Sequence, residues 1–116
     1  MLSGEVPYTA FNARKSYIEN NEEVIEKFVK ALNKGIEYVK NNNATDIANA
    51  ILNQFPDTSL NDAIIIIDRY KEADSWLPNT YISEESFKNL EDIMIRANLL
   101  DDYVPYSDLI NNKFNE

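Results

Sequence analysis

The stretch Glu22-Glu23-Val24-Ile25-Glu26-Lys27-Phe28-Val29-Lys30-Ala31-Leu32-Asn33-Lys34-Gly35-Ile36-Glu37-Tyr38-Val39-Lys40 decides the fold class. Ile25, Phe28, Val29, Leu32, Ile36 and Val39 recur at three- and four-residue steps, so a 3.6-residue period gathers them into one apolar stripe. Glu26, Lys27, Lys30, Lys34 and Lys40 fall on the opposite side. The spacing predicts one long amphipathic helix. Asn20-Asn21 offers side-chain oxygens to cap its orphan amides, and Glu22 and Glu23 stand where the helix dipole favours carboxylates. Asn41-Asn42-Asn43 ends the element. Gly35 costs about 1 kcal/mol relative to alanine in a helix interior, so it is expected to admit the close approach of another backbone.

Working outward toward the C-terminus, Thr45 is a cap for a shorter helix carrying Ile47, Ala48, Ile51 and Leu52. That helix must end before Pro56, because the residue preceding a proline disfavours the α region. Phe55 is expected to close over it. Ser59 followed by Asp62 approximates a capping box and opens a helix from Leu60 to about Ala73. Ile64-Ile65-Ile66-Ile67 is apolar all round, the pattern of a buried element, and four β-branched residues in a row also permit a strand; the cap before it and Arg69-Tyr70-Lys71-Glu72 after it favour helix. Trp76-Leu77-Pro78-Asn79 breaks the periodicity. Ser83 then caps a helix whose stripe is Phe87, Leu90, Ile93, Met94 and Ala97. A loop from Leu99 leads to a last short helix starting at Tyr106 or Ser107 and carrying Leu109, Ile110 and Phe114.

Toward the N-terminus, Ala13 to Ile18 suits a short helical turn. Val6-Pro7-Tyr8-Thr9-Ala10-Phe11 is aromatic and β-leaning with Pro7 near its start, which fits an extended or edge segment and makes it the one candidate strand. The expected fold is therefore mainly α: a single domain over residues 1–116, four or five helices with a short extended N-terminal segment. The expected core is Phe28, Leu32, Ile51, Ile64, Ile67, Leu90 and Ile93.

Composition narrows function by subtraction. The chain has 116 residues, 20 acidic and 11 basic, for a formal charge of −9, and neither cysteine nor histidine. Disulfides, thiolate or imidazole metal sites, cysteine nucleophiles and imidazole-based triads are thereby excluded. The acidic balance repels phosphate backbones, and no nucleic-acid partner is expected. Two glycines and four prolines are too few for a turn-rich β-sandwich. The longest apolar run, Ala63 to Ile67, falls far short of the roughly 20 residues of a membrane span. Met1-Leu2-Ser3-Gly4 lacks the basic and apolar regions of a secretion signal.

The remaining acid-base equipment is carboxylate. Glu22/Glu23, Glu84/Glu85 and Asp101/Asp102 are sequence neighbours at helix starts or in a polar loop. Adjacent helical residues diverge, so none of these pairs converges on one proton, and dipole capping accounts for them. Asp101, Asp102 and Asp108 lack the spacing, central glycine and closing glutamate of an EF-hand. Phosphate-cradling, nucleophile-elbow and zinc-helix motifs are absent. No enzyme activity, cofactor or metal is expected. Tyr8, Phe11, Trp76, Tyr81, Tyr103 and Tyr106 lie near helix ends or loops, where aromatic rings with polar handles can line a pocket. Packing is the plainer role for each, and Trp76, in a break between helices, fits it least well.

Several short elements in order resemble one family. Gly4-Glu5-Val6-Pro7-Tyr8-Thr9-Ala10-Phe11, Lys15-Ser16-Tyr17-Ile18, Glu26-Lys27-Phe28 and Lys34-Gly35 are followed by Ile47-Ala48, Phe55-Pro56-Asp57 and Arg69-Tyr70-Lys71. Asp74-x-Trp76, Asp92-Ile93-Met94 and Val104-Pro105-Tyr106 complete the series. Together they look like the C-terminal portion of the solute-binding components of ABC transporters for nitrate, aliphatic sulfonates, taurine and thiamine-pyrimidine precursors. No single element is diagnostic; their order over nearly the whole chain carries the resemblance.

The resemblance implies a piece of a two-lobed α/β periplasmic-binding-protein fold that closes on a small solute and delivers it to a membrane permease. It also implies an extracytoplasmic parent, periplasmic or anchored at the cell surface as a lipoprotein, with Met1 an expression start rather than a natural one. Most strands and most ligand contacts of such a parent would lie outside these residues. Tyr8 and Thr9, on the extended segment, and Trp76 are the ligand-binding positions the resemblance suggests. A piece of this kind is expected to expose apolar surface and to form a homodimer, for instance by exchanging its N-terminal segment. The competing reading is a free-standing acidic helical module that recruits a basic protein partner through its charged faces.

Overall fold

The computed structural model describes residues 4–76 and 78–115, and its described residues are mainly helical, with no strand among them. The helices are α1 (Lys15–Asn20), α2 (Glu22–Asn41), α3 (Ala44–Ile51), α4 (Leu60–Glu72), α5 (Glu84–Arg96) and α6 (Tyr106–Leu109), with one 3-10 turn at Leu52–Gln54. Six helices replace the four or five expected, because the turn at Lys15 and the four residues from Tyr106 each close a helix of their own. Met1 to Ser3, Leu77 of the predicted break, and Glu116 lie outside the described residues. Residues 5–14 form neither helix nor strand; a strand exists only by pairing, and no described residue offers Val6–Phe11 a ladder.

The asparagine run at 41–43 ends α2 as expected, but Asn20 and Asn21 act differently from their predicted roles. Asn20 and Asn21 turn their side-chain amides backward, donating to the carbonyls of Ser16 at 2.7 Å and Tyr17 at 2.9 Å. They thus close α1, and it is the Asn21 backbone carbonyl that accepts from Val24 and Ile25 at the start of α2. At the far end, Asn42 donates to the Tyr38 carbonyl at 2.8 Å. The cap of α3 is Asn43, whose side chain accepts from the Asp46 amide at 2.9 Å; Thr45 already lies within the helix and is not the cap. Ser59 and Ser83 cap α4 and α5 as predicted, accepting from the Asp62 and Ser86 amides. The Ser59 hydroxyl also donates to the Asp62 carboxylate at 2.7 Å, the short acid closing the box on the side chain.

Contacts within the chain gather into two compact units, residues 1–27 with 81–116, and residues 28–80. In the second unit α3 packs along α4, burying Ala44, Ile47 and Ala48 against Ala63 and Ile67, with Val39, Leu52, Leu60 and Ile64 half-buried around them. Three alanines in that seam let two helices approach closely, and the isoleucines fill the remaining space. Lys71 of α4 reaches the C-terminal end of α2, where its ammonium donates to the Val39 carbonyl at 2.9 Å and to the Asn42 carbonyl. These carbonyls lack intrahelical partners, and a cation there also meets the negative end of the dipole.

In the first unit Phe87, Ser86 and Glu91 of α5 are buried. The Phe87 ring meets Tyr106 edge-on at 5.8 Å. Tyr106 donates its hydroxyl hydrogen to the Ile82 carbonyl, which also accepts from the Asn112 side chain at 2.8 Å. Glu91 is buried because it accepts the Val104 backbone amide at 2.7 Å, pinning the loop after α5 to the helix.

The predicted core is corrected in part. Ile67 is buried, and Leu32, Ile64 and Leu90 are half-buried, but Phe28, Ile51 and Ile93 are exposed, as is Phe55. The isoleucine run is not enclosed either: Ile65 and Ile66 face solvent. Nothing approaches Gly35 within 4 Å of an added Cβ, so the close contact expected there does not occur.

Candidate functional site

The three residues singled out as ligand-binding positions fall in both units. Tyr8 and Thr9 lie on the irregular segment of the first unit, with Tyr8 97% exposed and Thr9 also exposed. The segment is anchored at its base, where the Asn89 side chain donates to the Glu5 carbonyl at 3.2 Å. Gly4, at φ 68°, sits so near Asn89 that an added Cβ would come within 3.0 Å of its amide nitrogen; glycine adopts that left-handed backbone without strain.

Trp76 belongs to the second unit, where it is brought to Tyr70. The rings stack at 5.5 Å with 23° between their planes. Local backbone makes this possible: α4 ends at Glu72, Asp74 turns the chain with φ 49°, and the Ser75 amide donates to the Tyr70 carbonyl at 3.0 Å. Aspartate tolerates the left-handed region better than most side chains. Trp76 remains 38% exposed and Tyr70 is also exposed, so the stack presents a flat aromatic surface with an indole N–H and a phenol as polar handles. Tyr70 as the partner of Trp76 escaped the sequence reading. The spacing of six residues across a helix end belongs to no regular period, and only the turn at Asp74 joins them.

A third group is electrostatic. Lys88 donates to both Asp92 carboxylate oxygens at 3.1 Å, one turn apart on α5, and the Tyr103 hydroxyl donates to the same carboxylate at 2.5 Å. The Lys88 ammonium also stands 4.9 Å from the centre of the Tyr103 ring. The Tyr103 hydroxyl, and then Lys88, hold the Asp92 carboxyl below its usual range; the Asp92 hydrogen bond raises Lys88 above the ordinary amine value. Burial, and secondarily the nearby Tyr81, pushes the Tyr106 phenol up. These groups fasten the loop at 101–105 to α5. Glu22, Glu23, Glu84 and Glu85 occupy first helical turns, in keeping with dipole stabilisation. Among the described residues no three acidic side chains gather where they would hold a metal ion, and no helix is long and apolar enough to cross a membrane.

No protein-family model matches the chain. No solved structure matches it either. A curated Bacillus subtilis (strain 168) protein, "Putative binding protein YtlA", is 39% identical over 114 residues, which is 98% of this chain and 34% of that protein. The chain thus spans about a third of the length of the curated relative it matches.

Proposed function

We propose that the chain is the C-terminal portion of a non-catalytic, extracytoplasmic solute-binding protein that captures a small solute for uptake by an ABC transporter. The solute class is that of the nitrate, sulfonate, taurine and thiamine-pyrimidine-precursor carriers. The observation that carries the reading is the match, along 98% of the chain, to a third of a relative named as a binding protein. The ordered series of short elements from Gly4 to Tyr106 supports the narrower family. The exposed side chains agree with it: the Tyr8 phenol and the Thr9 hydroxyl on the irregular segment, and the Tyr70–Trp76 stack, are groups that a ligand or an opposing lobe would cover.

Titration calorimetry on the polypeptide encoded by the whole reading frame, against nitrate, an alkyl sulfonate, taurine and an aminopyrimidine, tests the reading. Saturable binding of one of them supports it; no heat and no thermal stabilisation with any of the four overturns the solute class. In that protein Tyr8→Phe is expected to weaken the ligand by about 1 kcal/mol or more, the size of a lost hydrogen bond. An unchanged dissociation constant removes Tyr8 from the site. The acidic-module alternative predicts instead capture of a basic protein, weakening steeply with ionic strength.

A further inference from the structure

The segment that carries Tyr8 and Thr9 is fixed at its base by a pair of residues. The Asn89 side chain of α5 donates to the Glu5 carbonyl at 3.2 Å. Gly4, one residue earlier, stands at φ 68°, a backbone that residues with a Cβ adopt only under strain. A Cβ built there would lie 3.0 Å from the Asn89 amide nitrogen, so a larger residue at position 4 would press on the group that holds position 5. Asn89 in turn stands on a firm support. On α5 the Phe87 ring is buried and meets Tyr106 edge-on, and the buried Glu91 accepts the Val104 amide.

What is fixed at Glu5 is passed on to Tyr8. Val6 and Pro7 lie between them, and both are half-buried. Proline sets its own φ and holds the preceding residue in the extended region, so neither of the two absorbs much rotation. At the far end the Arg14 carbonyl accepts from the Tyr17 and Ile18 amides, and the chain enters α1. We propose that Asn89 and Gly4 are positioning residues for the ligand, acting through Tyr8 and Thr9 by aiming the segment that presents them. The inference rests on Tyr8 and Thr9 being ligand-binding positions, the reading proposed above.

The effect is one of populations. Without the Asn89 bond the segment leaves the base of α5 for part of the time, and a ligand that needs it in place binds more weakly by the fraction lost. Asn89→Ala in the polypeptide encoded by the whole reading frame is expected to raise the dissociation constant at least about threefold. Asn89→Asp keeps the size of the side chain but, when ionised, has no hydrogen to donate, and should weaken the ligand as much. Gly4→Ala should also weaken it, but far less once Asn89 is alanine, because residues in contact are coupled and crowding at position 4 matters only while Asn89 holds position 5.

Two measurements test the proposal. In calorimetry with the bound solute, Tyr8→Phe added to Asn89→Ala should cost less than Tyr8→Phe alone, the mark of a residue that acts through Tyr8. An affinity unchanged by Asn89→Ala, or costs that simply add, overturns the proposal. Backbone heteronuclear Overhauser enhancements of the 116-residue chain read the anchor with no ligand present: Asn89→Ala and Asn89→Asp should lower the values at Glu5, Val6 and Tyr8 and leave those of α5 as they were. Unchanged values in the segment overturn the anchor, and so does a loss of order throughout α5, which would make Asn89 a stability residue. Failure of the solute class, or of Tyr8 itself, shows in the native protein and in Tyr8→Phe alone, and the relaxation result then decides the anchor.

Discussion

At the scale of single residues, Gly35 is a position that no packing contact among the described residues requires to be glycine. It stands inside α2 with open space around it, so a methyl group there meets nothing and removes unfolded-state freedom. Gly35→Ala is expected to stabilise the chain by about 1 kcal/mol, read as a raised urea midpoint; a lowered midpoint would mean that something covers the glycine in solution. Asp92 offers a second residue-scale test. Its carboxyl is held down first by the Tyr103 hydroxyl, so Tyr103→Phe should move its NMR titration midpoint upward, toward the ordinary aspartate value. The sign for stability follows. Because the folded-state pKa is depressed, the contribution of this contact is present above the unfolded-state value and is lost as pH falls through the folded one. A titration curve unmoved by Tyr103→Phe would assign the depression to Lys88 instead.

Helix ends show which element-scale features a sequence displays. Ser59 and Ser83 were legible as caps because a serine one residue before an apolar period, with an acid or a small polar residue three positions on, has few other uses. Asparagine is less legible, since it both accepts and donates: Asn20 and Asn21 close one helix while Asn43 opens another. Lys71 was unreadable as a functional end group, because its partners, the Val39 and Asn42 carbonyls, lie about 30 residues away. The same distance gives it structural weight: it ties the end of α2 to α4. Lys71→Met keeps the apolar stem but leaves both carbonyls without the ammonium, and should cost about 1–2 kcal/mol in chemical denaturation. A loss of only a few tenths would mean that water replaces the ammonium there.

At the scale of the whole molecule, periodicity told which face of each helix is apolar but not what covers it. Phe28, Ile51 and Ile93 belong to true stripes, yet all three are exposed, and the buried seam of the second unit is built largely of alanines that a hydrophobicity count undervalues. The Tyr70–Trp76 stack was half legible: Trp76 stood out in the sequence, while its partner depended on a turn no period announces. The isoleucine run of α4 makes the point quantitative. Ile67 is 4% exposed against α3, whereas Ile66, next along the helix, is 46% exposed. Two residues of identical chemistry therefore make opposite predictions. Ile67→Ala removes buried methylenes and leaves a cavity among Ala44, Ile47 and Ala48, an expected loss of about 2 kcal/mol or more. Ile66→Ala removes only solvated surface and trades a β-branched residue for the best helix former, so its effect should lie within about 0.5 kcal/mol of zero. Trp76 fluorescence reports both, since it is the chain's single tryptophan and sits in the same unit. If Ile66→Ala instead costs as much as Ile67→Ala, the outer face of α4 is covered in solution.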